Sequence, residues 1–123
     1  MNIAIVGATG NVGRKTLEVL QQKNLNIDNL YLVASPNSAG KQLEFNGKKY
    51  SIENLETYDF SKAKITFFAA GGKISKQYAE KAAKHTTVID NSSYFRMDPD
   101  VPLIVPQVNA KDIQNMKKNI IAN

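Results

Sequence analysis

Apolar residues along this chain fall into short runs separated by amphipathic stretches, and the alternation continues from one end to the other. "NIAIVG" is a β-branched apolar run ending in Gly7, the pattern of a parallel strand buried on both faces. Over residues 12–23, Val12, Leu17, Val19 and Leu20 recur at helical spacing and predict a helix with one buried stripe. Residues 29–35, "NLYLVAS", predict a second strand, and residues 36–40 a loop. "KQLEFNGKKYSI" holds Asn46-Gly47 between alternating apolar positions, a hairpin signal. A third strand is expected over residues 65–70, broken by Gly71-Gly72. A helix over residues 75–85 should follow, burying Tyr78, Ala79, Ala82 and Ala83. "TTVIDNSS" reads as a strand and loop, "VPLIVPQVN" as an extended stretch, residues 110–118 as a helix and "NIIAN" as a last strand. Strands alternating with helices predict a mostly parallel sheet.

Composition narrows the class. A chain of 123 residues with 42% apolar content suits one domain, here residues 1–123, with a packed core. No apolar run reaches the roughly 18–20 residues that span a bilayer, so no membrane partner is expected. The N-terminus enters a strand without a basic segment or cleavage site, which makes a cytoplasmic setting the expectation. With no cysteine and one histidine, disulfides and thiolate metal sites are excluded. The net charge of +5 suits an anionic small-molecule partner. Its lysines are dispersed without interleaved aromatics, so no nucleic-acid partner is expected.

The chemistry concentrates in "IVGATGNVG". Its glycines follow a strand and precede a helix, the context of a dinucleotide-binding turn. Gly7 permits the tight turn, Gly10 lets the backbone approach phosphates, and Gly13 lets helix and strand pack closely. The helix start supplies free N–H groups and partial positive charge to a pyrophosphate. NAD sites usually carry a carboxylate about 20 residues further on. None lies between Asn29 and Gln42, whereas Ser35, Ser38 and Lys41 offer donors and positive charge, which favours NADP. Together these features specify a Rossmann-like, doubly wound α/β fold with helices on both faces. A second small-residue turn, Ala70-Gly71-Gly72, leaves room for the nicotinamide half.

"IDNSSYFRMDPDVPLIVPQVN" is more distinctive. Arg96 follows a strand end in a polar loop, where it can grip a phosphate or carboxylate through two parallel hydrogen bonds, or pair with Asp98 or Asp100.

"GATGNVG", "SAGK", "AAGG", "DNSSYFRMDPDVPLIVPQVN" and "IIAN" together resemble the N-terminal part of bacterial aspartate-semialdehyde dehydrogenase across essentially the whole chain. The resemblance implies an NADP-dependent interconversion of L-aspartate 4-semialdehyde and 4-phospho-L-aspartate with phosphate, leading towards lysine, methionine, threonine and isoleucine. It assigns Thr9, Gly10, Asn11 and Val12 to the pyrophosphate, and Asn37 and Ser38 to the adenosine 2′-phosphate. It further assigns Ala70, Gly71 and Gly72 to the second cofactor loop and Arg96 to the substrate phosphate. Asn37 stands where the family commonly has arginine, leaving Ser35, Ser38 and Lys41 to hold a 2′-phosphate. In the family a cysteine thiolate attacks the aldehyde, hydride passes to NADP, and phosphate takes the acyl group. That cysteine is expected just beyond Asn123, in a further catalytic and dimerisation domain that makes such enzymes homodimers. A last helix of that domain returns to this one in the family, so exposed apolar surface is expected here. The 123-residue chain should therefore hold the cofactor without turning over semialdehyde, His85 and the serines being no substitute for the thiol. The alternative is a stand-alone NAD(P)-binding regulatory module.

Overall fold

The computed structural model describes residues 1–104 and 116–123. Most of the expected helix over residues 110–118 and part of the "VPLIVPQVN" stretch lie outside the described residues.

Among the described residues seven strands form one sheet: β1 (Asn2–Val6), β2 (Asn29–Ala34), β3 (Gln42–Phe45), β4 (Lys48–Asn54), β5 (Ile65–Phe68), β6 (Thr87–Asp90) and β7 (Ile120–Ala122). Their spatial order is β3-β4-β2-β1-β5-β6-β7. Every pairing is parallel except β3 with β4, which Asn46 and Gly47 join with φ of 52° and 78°, the left-handed pair a tight hairpin turn requires. Helix α1 (Asn11–Lys23) links β1 to β2, and α2 (Gly72–Ala83) links β5 to β6.

Alternation along the strands divides the core between the two faces. Ile3, Ile5, Leu30 and Leu32 point to the face covered by Leu17 and Leu20 of α1. Ala4, Val6, Val33 and Phe68 point to the opposite face, where Ala79 and Ala82 of α2 and Phe60 of a short 3-10 turn cover them. The sheet is thus doubly wound, with helices on both faces as the strand–helix alternation requires.

Three details depart from expectation. Helix α2 starts at Gly72, because the N–H of Ser75 already bonds the Gly71 carbonyl at 3.1 Å. Tyr78 and Ala83 pack at the edge of the cluster, half-buried. On α1, Leu17 and Leu20 are buried, but Val12 and Val19 are 44% and 39% exposed. They sit on the flank that faces the β5–β6 half of the sheet, beside an apolar groove of about 640 Å³ that Phe67 and Ile89 floor. Among the described residues no helix is long and apolar enough to cross a membrane.

Candidate functional site

The connection leaving β1 runs to one side of the sheet and the connection leaving β5 runs to the other, although the two strands are neighbours. Such a reversal opens a crevice at the carboxyl ends of the two strands, where sheets of this kind take their ligands. A cleft of about 350 Å³ lies there. Gly7, Thr9 and Gly10 line it after β1, Ser35 after β2, and Ala69 and Ala70 after β5.

Close backbone contacts build the crevice. Gly7 has φ +87°, and a Cβ there would lie 2.7 Å from the Ala69 carbonyl oxygen. A Cβ on Gly13 would lie 2.0 Å from the Gly7 oxygen, so α1 meets the turn with backbone against backbone. Gly10 differs, since a Cβ there would meet only the Gly7 oxygen, at 3.6 Å, and otherwise open space. The turn is fixed by the Gly7 N–H donating to the Val33 carbonyl at 2.8 Å and by Arg14 Nε donating to the Thr9 carbonyl at 3.0 Å.

Both helix starts are prepared for an anion. Gly10 and Gly71 occupy the N-cap positions of α1 and α2, and neither helix has a side-chain cap or an acidic residue in its first turn. The leading N–H groups and the positive end of each helix dipole are left to a ligand. These features fit a dinucleotide: backbone donors, room for the phosphates at Gly10, and no carboxylate to oppose them.

The remaining expected residues divide between this cleft and its margins. Asn11 and Val12 expose their side chains to the apolar groove on the α1 side, which leaves only their main-chain amides for the cleft. Asn37 and Ser38 lie in the turn after β2, where the Ser38 N–H bonds the Ser35 carbonyl at 2.9 Å. Gly71, with φ +90°, and Gly72 begin α2 beside Tyr94. Ala34, Leu55 and Ile74 also line the cleft and escaped the sequence reading. Leu55 follows β4, whose parallel pairing with β2 brings its end to the crevice; the hairpin signal gave no hint of that partner.

Arg96 lies further along the same edge of the sheet. Its Nη2 donates to the main-chain oxygens of Asn91 and Asn123, each at 3.3 Å. Asp98 instead accepts from Lys118 Nζ at 2.9 Å, and Asp100 lies 3.7 Å from Lys117 Nζ. Among the described residues Arg96 therefore has no side-chain carboxylate partner, and its exposed guanidinium is held by main-chain oxygens. The Lys118 hydrogen bond also holds the Asp98 carboxyl below its ordinary range. No cluster of metal-ligating side chains occurs among the described residues.

Comparison with known proteins agrees with this fold. The family model for the semialdehyde dehydrogenase NAD-binding domain matches residues 2–116. Aspartate-semialdehyde dehydrogenase from Aquifex aeolicus is 52% identical over 98% of this chain, which spans 36% of that protein's length. The crystal structure of aspartate semialdehyde dehydrogenase II from Vibrio cholerae, complexed with ASA, superposes with a TM-score of 0.96. It is 48% identical over 99% of this chain and 40% of its own. A probable aspartate-semialdehyde dehydrogenase from Pseudomonas aeruginosa superposes with a TM-score of 0.91 at 29% identity.

Proposed function

Because the chain belongs to the family of semialdehyde dehydrogenase NAD-binding domains, we propose that it is the NADP-binding domain, residues 1–123, of an aspartate-semialdehyde dehydrogenase. The reaction is the interconversion of 4-phospho-L-aspartate and L-aspartate 4-semialdehyde, on the route to amino acids derived from aspartate. The carrying observation is the crevice between β1 and β5, with two uncapped helix starts, on the same sheet edge as an arginine free of side-chain carboxylates. The nicotinamide cofactor supplies the hydride chemistry.

The chain's own residues bind and orient. Main-chain amides of Thr9, Gly10, Asn11 and Val12 take the pyrophosphate, with Gly7 and Gly13 shaping the turn. Ser35, Asn37 and Ser38 face the adenosine ribose and its 2′-phosphate, and Ala70, Gly71 and Gly72 receive the nicotinamide end. Arg96 grips the substrate phosphate with donors in a fixed planar array. The sequence contains no cysteine, so the thiol nucleophile of such an enzyme comes from outside these residues. The domain works in the cytoplasm within a homodimeric enzyme, with neither membrane nor nucleic acid as partner.

Titration of the 123-residue chain with NADPH, NADH and an unrelated oligonucleotide tests the reading. NADPH should bind, NADH more weakly, and the oligonucleotide should not. Nanomolar oligonucleotide affinity without dinucleotide affinity would overturn it. With semialdehyde, NADP and phosphate the chain should yield no NADPH, and detectable production would disprove the assignment of the nucleophile.

A further inference from the structure

We propose that the buried carboxylate of Asp90 is a positioning residue that fixes the Arg96 loop relative to the second glycine turn. The inference rests on the reading of that edge of the sheet given above. Asp90 ends β6 and is fully buried. Its Oδ1 accepts from Ser75 Oγ at 2.7 Å and from the Ser92 N–H at 2.9 Å, and its Oδ2 accepts from Ser92 Oγ at 2.9 Å. Ser75 lies in the first turn of α2, three residues after Gly72. Ser92 Oγ accepts in turn from the Tyr94 N–H at 3.2 Å, two residues before Arg96. The Asp90 carbonyl accepts from the Asn123 N–H at 3.0 Å, and Asn123 is one of the two oxygens that tether the guanidinium.

Among the described residues no cation pairs with Asp90, and all its side-chain hydrogen bonds go to the two segments that carry the site. Burying a carboxylate without a counter-charge costs free energy, and an apolar residue would serve the sheet alone at lower cost. What the carboxylate adds is three convergent acceptor contacts that fix one loop against the other. An outer partner of this kind sets the orientation of a binding group without touching the ligand.

The test compares Asp90→Ala and Asp90→Asn in the 123-residue chain. Inorganic phosphate is followed through the Arg96 Nε–H resonance, and ADP-ribose reports on the first glycine turn. Asp90→Ala should weaken phosphate about tenfold or more, the scale of losing an outer partner, and leave ADP-ribose within about twofold. Asparagine keeps one acceptor oxygen and offers an NH2 that the Ser92 hydroxyl can accept, so Asp90→Asn should recover most of the phosphate affinity. Should Asp90→Ala fail to fold, Ser92→Ala removes the hydroxyl that donates to Asp90 Oδ2 and accepts from the Tyr94 N–H while sparing the strand, and should weaken phosphate in the same selective way. Equal weakening of both probes marks a merely structural role, and unchanged phosphate binding removes any role; either overturns the proposal. Phosphate that leaves the Arg96 resonance unmoved in the unsubstituted chain instead overturns the anion-site reading, and the inference with it.

Discussion

Alanine in place of Gly13 perturbs the contact on which the crevice is built. The new Cβ would sit 2.0 Å from the Gly7 oxygen and 2.8 Å from the Ala8 Cα, both backbone atoms with no side-chain freedom to yield. Ordinary contact begins at 3.4 Å, so helix and turn must part by about 1 Å or more. Overpacking of this kind costs about 1–3 kcal/mol, and rigid neighbours on both sides place it at or above the upper end. Alanine's better helix propensity returns up to about 1 kcal/mol. The net loss is about 2 kcal/mol, which lowers the Tm of a domain this size by roughly 8 °C. Gly10→Ala is the matched control. Its Cβ meets nothing closer than 3.6 Å, and Gly10 has φ −80°, which any residue adopts. Alanine is a poorer N-cap than glycine, so the variant's Tm should fall by no more than about 4 °C, less than for Gly13→Ala, while the methyl enters the cleft and weakens NADPH. Calorimetry and a fluorescence titration of both variants decide the matter. A Gly13→Ala chain as stable as the parent, or a Gly10→Ala chain that binds NADPH equally well, refutes the account of the turn.

Arg96→Lys keeps the charge and loses the planar pair of donors; phosphate affinity should fall several-fold with Tm unchanged, and an equal affinity would show that charge alone suffices. Asp98 titrates below an unfolded carboxylate, chiefly because Lys118 donates to it, so its contribution is present above about pH 3.9 and is lost as pH falls through its folded value. Asp98→Asn should therefore be less stable than the parent at neutral pH, with the Tm gap closing under acid; a gap independent of pH would sink this. Among the described residues the Tyr58 hydroxyl is buried without a hydrogen-bond partner, and burial pushes the phenol's pKa up. Tyr58→Phe removes that unsatisfied group and should hold or raise Tm, by up to about 1 kcal/mol of stability, whereas a fall of several degrees would reveal a missed partner.

Local patterns made much of the fold legible. The glycine turn, the Asn46-Gly47 hairpin and the helix α1 each depend on residues close in sequence, and the structure forms all three, although only Leu17 and Leu20 of the expected α1 stripe are buried. The parallel pairing of β4 with β2 depends on distant residues, and with it went the place of Leu55 in the cleft. Likewise "RMDPD" left Arg96 open to either aspartate. The outcome turned on Lys117 and Lys118, about 20 positions away in sequence, which draw both carboxylates off. The start of α2 was missed because Gly71-Gly72 reads as a breaker, although a left-handed glycine at an N-cap both ends a loop and begins a helix.

The side on which Val12 and Val19 are exposed follows from the same topology as the cleft. Because the connections from β1 and β5 diverge, α1 lies over the β1–β2 half of one face and α2 over the β5–β6 half of the other. Each helix covers only part of its face. Leu17 and Leu20 meet Ile3, Ile5, Leu30 and Leu32, while the flank bearing Val12 and Val19 overhangs Phe67 and Ile89. At the carboxyl edge the same divergence separates the starts of the two helices, so that both uncapped ends face one crevice. Had both connections run to the same side, Val12 and Val19 could have been covered as their spacing suggests. The crevice between β1 and β5 would then have closed, and with it the place for a dinucleotide.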